Sequence, residues 1–301
     1  MSDHLPAGNP KPPEHINNRY ENPLRDLLIL VAGALGLIVL ATLLLAWSAS
    51  TVAPLIPYHW EVSLLQQASE ASQEAGTESS KEAETESRNE AKVEASKEAE
   101  AETEAALTQL LNQLTDNKAL PVRVHYLADQ DMPNAFATLG GHIFITRGLL
   151  DSVESENGLA MVLAHEYAHV ELRHPITLMM EQLSIGFALS MIGSDNLAQL
   201  VTQNTAMLTA LSFSREMERD ADHLALERLD AHYGHTTGAD EFFRSISKRY
   251  EYLGADSPWQ QMFQTHPLTS ERIKNIQSST RIGVLTPLPD VLTGHHEEER
   301  E

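Results

Sequence analysis

Polar, proline-rich sequence fills residues 1–26, and the chain then turns uniformly apolar from Leu27 to Trp47, reading LLILVAGALGLIVLATLLLAW. No charge interrupts that run, and its length suffices to cross a bilayer core as a helix. A core helix this long would carry a polar face, and a cleaved leader would be shorter and follow a basic start. The run therefore predicts an uncleaved membrane anchor at 27–47, preceded by a disordered tail and followed by a juxtamembrane segment at 48–68, where Tyr58 and Trp60 suit an interface. The pattern then changes to a low-complexity stretch at 69–104 built from Glu, Ala, Ser, Thr and Lys, with Glu at every fourth position from Glu70 to Glu102. Ala, Glu and Lys favour helix, but like charges four apart weaken it, so this stretch reads as a solvated spacer.

Helical apolar spacing returns at Leu107, Leu110, Leu111 and Leu114. Val122, Val124 and Tyr126 alternate as a half-buried strand does, and Ile143 and Ile145 mark one face of a second strand after the Gly140-Gly141 turn. From Asn157 to His174 the period is helical, with Pro175 ending it. Apolar helical stretches follow near 176–192 and 197–212, then helices near 214–230, 239–253 and 269–278. The stretch from Ile176 to Ile192 contains Glu181 and is short for a span, so it reads as a buried core helix. One helix, a few strands and then many helices make an α+β domain with a small sheet over residues 105–285. Residues 286–301 read as an acidic disordered tail, and the His pair in its HHEEERE ending reads as charged tail, not as a metal site.

The 301 residues carry a net charge of −22, which argues against nucleic acid as a partner. The absence of cysteine excludes disulfides, thiolate metal sites and cysteine nucleophiles, while the 14 histidines keep imidazole–metal chemistry open. Arg19 and Arg25 precede the apolar run and no Lys or Arg follows it until Lys81, so the N-terminus is expected in the cytoplasm and the domain outside.

The chemical signal is HEYAH at residues 165–169. Residues four apart share a helix face, so His165 and His169 can offer imidazole nitrogens to one ion. Glu166 points about 100° around the helix, placed to take a proton from a metal-bound water without ligating. Two imidazoles hold a catalytic metal poorly, and SREMERDAD at 214–222 supplies what is missing. Glu218 reads as the third ligand, and Asp222, one turn on, as the acceptor that fixes a ligand histidine's tautomer.

Together these segments resemble the HtpX-like and CAAX prenyl endopeptidase family of zinc metallopeptidases, the periplasmic and OMA-type members most of all. The pattern Ser-Arg-x-x-Glu-x-x-Ala-Asp is met by Ser214, Arg215, Glu218, Ala221 and Asp222. Asn134-Ala-Phe-Ala, Gly140-Gly141, Gly148-Leu-Leu and the set His266, Pro267 and Arg272 extend the likeness over roughly residues 105–280. The resemblance implies a mostly helical, gluzincin-like domain with a small antiparallel sheet, one Zn2+ per chain, and substrate polypeptide bound as an extended strand along an edge strand at 142–146. His266 and Arg215 become candidates to stabilise the oxyanion. Several family members carry multiple spans, whereas this chain has one clear span. That points to a single-pass protein of the inner membrane with a periplasmic catalytic domain in envelope protein quality control. The rival is a non-proteolytic or latent zinc-binding chaperone or adaptor, against which an intact Glu166 speaks, since a structural site needs no base.

Overall fold

The computed structural model describes residues 22–63, 90–115, 120–191, 213–253, 266–267 and 270–293. Helices α1 (Pro23–Val52) and α2 (Glu90–Leu114) come first. Strands β1 (Arg123–Leu127), β2 (Ala135–Thr138) and β3 (His142–Thr146) and a short helix α3 (Arg147–Leu150) follow. The remaining helices are α4 (Glu156–Glu171), α5 (His174–Met191), α6 (Arg215–Tyr233), α7 (Glu241–Leu253), α8 (Ser270–Ser278) and α9 (Asp290–Thr293).

The sheet order is β1-β3-β2, with β1 parallel and β2 antiparallel to β3. The sheet is therefore mixed, where an antiparallel one was expected. The 14 residues from Ala128 to Gly141, with β2 among them, form the crossover that lets β1 and β3 run the same way. Strand 142–146 is also the central strand, not the edge expected to receive substrate. Its N–H and C=O groups are paired on both sides, and the edges belong to β1 and β2. At the β1 edge the backbone N–H of Tyr126 donates to Glu104 Oε1 of α2 at 2.8 Å. An incoming strand would meet a carboxylate there instead of a free donor.

Alternation places Val124, Tyr126, Ala135, Ala137, Ile143 and Ile145 on the inner face, where they join Leu107, Leu110, Leu111 and Leu114 of α2 and Leu159, Met161 and Leu163 of α4 in one core. Because the apolar leucines of α2 continue without a break from the acidic stretch, helix α2 runs across the expected spacer boundary at 104/105. At the other end Leu288 and Leu292 are buried in the core and Pro287 bridges to Ser155. Residues 286–293 thus belong to the fold, where a disordered tail was expected, because their two leucines find apolar partners. The expected helix at 197–212, most of the N-terminal tail, spacer residues 69–89 and the tail after Thr293 lie outside the described residues.

Helix α4 begins at Ser155, whose hydroxyl accepts from Gly158 N at 3.1 Å. The buried Glu241 carboxylate of α7 closes the same helix end: Oε1 accepts from Ser155 N at 2.9 Å and from Glu154 N, and Oε2 accepts from the Ser155 hydroxyl at 2.6 Å. A negative group at a helix N-terminus is favourable in itself. Helix α4 ends at Glu171, not at Pro175. Pro175 instead sits in the first turn of α5, where its missing N–H costs nothing. Only Leu172 and Arg173 join the two helices, and Arg173 adopts a left-handed backbone at φ 64°.

Helix α1 is long and apolar enough to cross a membrane over Pro23–Leu45, at a mean hydropathy of 2.9. The segment after it docks on the domain. The buried ion pair of Glu61 with Arg173 spans 2.7 Å, Glu61 also accepts from Gly140 N at 3.2 Å, and Arg173 donates to Ile56 O at 2.6 Å. The Tyr58 hydroxyl donates to Pro121 O at 2.8 Å, and it lies so close to Gly141 that any Cβ there would collide with it.

Replacing Glu241 by Ala strands buried donors at the start of α4 and is expected to lower stability by about 3 kcal/mol. Chemical unfolding in detergent followed by circular dichroism checks it, and an unchanged midpoint counts against the cap.

Candidate metal centre

Two helices build the centre. Helix α4 carries His165, Glu166 and His169, and α6 carries Glu218 and Asp222. The two pack closely, and alanines at 160, 164, 168, 221 and 225 are fully buried, so little bulk holds their backbones apart. The loop before α8 brings in His266, and α8 itself brings Arg272. All of these side chains are buried, with His169 at 0% and Glu218 at 1% relative exposure.

The His165 and His169 Nε2 atoms face each other at 3.0 Å. Glu218 Oε2 lies 3.5 Å from His165 Nε2, and Glu218 Oε1 lies 3.6 Å from His169 Nε2. His266 Nδ1 stands 3.0 Å from Glu218 Oε1, and its Nε2 is 3.6 Å from Glu166 Oε1. The other ring nitrogens are engaged too. His165 Nδ1 is 3.0 Å from Asp222 Oδ1, and His169 Nδ1 is 2.9 Å from His174 Nδ1. Phe213 stacks on His169 with ring centroids 3.8 Å apart, fixing the ring plane.

Two buried carboxylates need positive charge nearby. Arg272 supplies it, donating from Nε and Nη2 to the two Asp222 oxygens at 2.8 Å each and touching Glu218 Oε2 through Nη1. Its guanidinium also lies over the Phe243 ring at 5.2 Å. Burial pushes both carboxyls up, but the balance holds them below their usual range. For Glu218 the lowering comes from His266 and His165, and for Asp222 from Arg272 and His165. Burial, followed by the charge of His165, pushes His174 down to about 4, so at neutral pH it is an uncharged partner for His169.

The donor set suits a divalent metal. Ligand bonds of about 2.0–2.2 Å at tetrahedral angles put donor atoms roughly 3.3–3.5 Å apart, close to the separations among His165, His169 and Glu218. Histidine ligands characteristically have a carboxylate or another fixed group beside their second nitrogen, and Asp222 and His174 stand in those places here. Among the described residues, buried Glu166 Oε2 and His266 Nε2 have no hydrogen-bond partner, which leaves a proton acceptor and a ring nitrogen beside the cluster. The four side chains His165, His169, Glu218 and His266 can present ligand atoms within 4.8 Å of one another.

A small cavity opens beside the cluster, walled by Ala135 of β2, Met161 and Val162 of α4, Phe242 and Phe243 of α7, and the polar groups His165, Glu166, His266 and Arg272. Of the residues singled out from sequence, His165, Glu166, His169, Glu218, Asp222 and His266 come together here. Arg215 does not: it is exposed at the first turn of α6. The cation beside the cluster is Arg272, which the motif His266-Pro267…Arg272 contained without revealing its role. His174 and Phe213 were also missed, the first because its place before Pro175 read as a helix end.

The sequence profile of peptidase family M48 matches residues 100–280. The beta-barrel assembly-enhancing protease of Yersinia pestis is 28% identical over 201 residues, 61% of this chain and 40% of that protein. The mitochondrial metalloendopeptidase OMA1 of Schizosaccharomyces pombe is 30% identical over 160 residues, 51% of this chain and 45% of that one. A protease HtpX homolog of Salinibacter ruber is 28% identical over 202 residues, 57% and 73% of the respective chains. The chain thus spans under half the length of the first two.

Asp222→Asn keeps the side chain's shape but removes its charge, and it is expected to weaken metal retention about 10–100-fold, measured by competition with a chromophoric chelator. Arg272→Met leaves two buried carboxylates uncompensated and is expected to cost about 3–5 kcal/mol of stability, read from thermal unfolding in detergent. A variant as stable as the parent would remove Arg272 from the charge balance.

Proposed function

The chain belongs to peptidase family M48, and from that premise we propose that it is a membrane-anchored, zinc-dependent endopeptidase. The observation that supports this most is the convergence of the His165 and His169 Nε2 atoms with the Glu218 carboxylate, beside a Glu166 oxygen that no group among the described residues satisfies. His165, His169 and Glu218 would hold the ion. When bound, zinc supplies Lewis-acid polarisation of the scissile carbonyl and acidifies a water. The donor set alone would also accept cobalt or manganese, and the choice of zinc rests on the two-imidazole, one-carboxylate composition typical of catalytic zinc.

Glu166 takes the proton of the attacking water and passes it to the leaving amine, a dual role open to a carboxylate that stays within reach of both. His266, its Nε2 turned toward the same space as Glu166, donates to the oxygen on which negative charge develops. Asp222 holds His165 in the tautomer that leaves Nε2 free, and His174 does the same for His169. His266 is also near enough to the cluster to close it as a fourth ligand, which is the form a latent protein would take.

The substrate is a polypeptide. The outer edge of β2, unpaired among the described residues, runs beside the cluster, and Ala135 of that strand walls the cavity. An extended segment added to this edge gains backbone hydrogen bonds without demanding a sequence, and the cavity lined by Met161, Val162, Phe242 and Phe243 takes an apolar side chain next to the bond being cut. Arg19 and Arg25 ahead of α1 support a cytoplasmic N-terminus. The catalytic domain then faces the periplasm, where a role in envelope protein quality control is in keeping with a relative named beta-barrel assembly-enhancing protease.

Glu166→Gln is expected to retain metal and lose proteolysis by more than about 100-fold, measured by metal analysis alongside an unfolded-casein assay. Full residual activity would end the assignment of the base. Glu218→Ala is expected to lose the metal itself, and unchanged metal content would move the third ligand elsewhere.

A further inference from the structure

The two imidazoles at the heart of the cluster are supported from different sides. His165 leans on Asp222, which Arg272 of α8 holds with two hydrogen bonds. His169 leans on His174, the two Nδ1 atoms lying 2.9 Å apart. His174 opens α5, and the residue before it, Arg173, is where the chain turns out of α4. The Arg173 N–H donates to Val170 O at 3.1 Å, and its carbonyl accepts from Thr177 N at 3.1 Å and from the Thr177 hydroxyl at 2.9 Å. Between those bonds the backbone is left-handed, the one such residue other than glycine among the described residues. A residue with a Cβ keeps that conformation only when its surroundings impose it.

Those surroundings come from the segment after α1. Glu61 and Arg173 are both buried and pair at 2.7 Å. The guanidinium also donates to Ile56 O at 2.6 Å and lies over the Tyr58 ring at 5.4 Å. Glu61 is fixed in turn through its other oxygen, which accepts from Gly140 N at 3.2 Å just ahead of β3. Resting on the reading of the cluster as a metal site, we infer that Glu61 is a positioning residue for that site: by pairing with Arg173 it sets the turn that keeps His174 against His169. A pair that only fastened the segment to the domain could sit anywhere along α4 or α5. This one grips the residue immediately before the imidazole, at the point where the backbone is strained. Arg173 and His174 share a peptide unit, so relaxation of the left-handed turn swings the start of α5. A shift of about 1 Å at His174 takes a contact of that length out of hydrogen-bonding range. One imidazole of the site is thus supported from within the domain, through Arg272 and Asp222, and the other through the segment that follows α1.

The test uses the full-length protein in detergent. Zn2+ affinity is measured by competition with a chromophoric chelator, and stability by thermal unfolding of the metal-free form. His174→Ala sets the size of the effect, expected as about 10-fold weaker zinc binding. Glu61→Gln is expected to weaken zinc binding to the same extent and to add nothing further in the His174→Ala background, because both changes remove one support. Breaking one side of a buried ion pair can unfold a protein, so Glu61→Gln/Arg173→Met, which strands neither charge, is measured alongside. This double variant is expected to fold and to bind zinc as weakly as His174→Ala does. Zinc affinity equal to the parent's in His174→Ala or in the folded double variant overturns the inference, and so does a further loss when Glu61→Gln is added to His174→Ala. A lower unfolding temperature with unchanged zinc affinity would make Glu61 a fastening alone and overturns it too. Each of these results leaves the peptidase reading standing, whereas a parent that takes up no zinc overturns that reading and this inference with it.

Discussion

Two carboxylates in the middle of an apolar core are the constraint around which this domain is arranged. Glu218 and Asp222 are withdrawn from water, where an unpaired carboxylate would cost several kcal/mol. Arg272 meets that cost by bridging both, and the imidazoles of His165 and His266 share in it. The arrangement needs α4, α6 and α8 in one register, because each contributes a group the others cannot replace. It also separates two tasks: Arg272 and Asp222 neutralise and orient, which leaves Glu218, His165 and His169 free to offer lone pairs in one direction.

A second buried ion pair ties the membrane side of the molecule to the same centre. Glu61, in the segment that follows α1, meets Arg173, the residue between α4 and α5. Arg173 pays for this position with a left-handed backbone and is held there by bonds to Ile56 and by the Tyr58 ring. The next residue, His174, touches His169. Only two side chains therefore separate the juxtamembrane segment from an imidazole of the buried cluster.

Much of this was legible in the sequence, for identifiable reasons. HEYAH and SREMERDAD each place their polar residues at a spacing of four, and that spacing alone fixes which side chains share a helix face. The paired apolar positions of β1 and β3 were equally plain. What the sequence did not carry was pairing between distant segments. Alternation along 122–126 and 142–146 says nothing of which strand is central, so the order β1-β3-β2 and the parallel pair came only with the fold. Arg272 was visible as part of a motif, but a cation 50 residues from its carboxylate has no local signature of its role. Leu288 and Leu292 were hidden by the charged residues beyond them, and Glu61 and Arg173, more than a hundred residues apart, by their ordinary surroundings.

The treatment of the β1 margin has a consequence for self-association. Growth of a sheet from molecule to molecule requires two open margins, so that each added copy presents a fresh end. Here α2 packs against β1 and Glu104 occupies its Tyr126 donor, so among the described residues β2 is the more open margin. Two copies joined β2 to β2 would consume both available margins and stop. Pairing of this kind favours a symmetric twosome over a fibre.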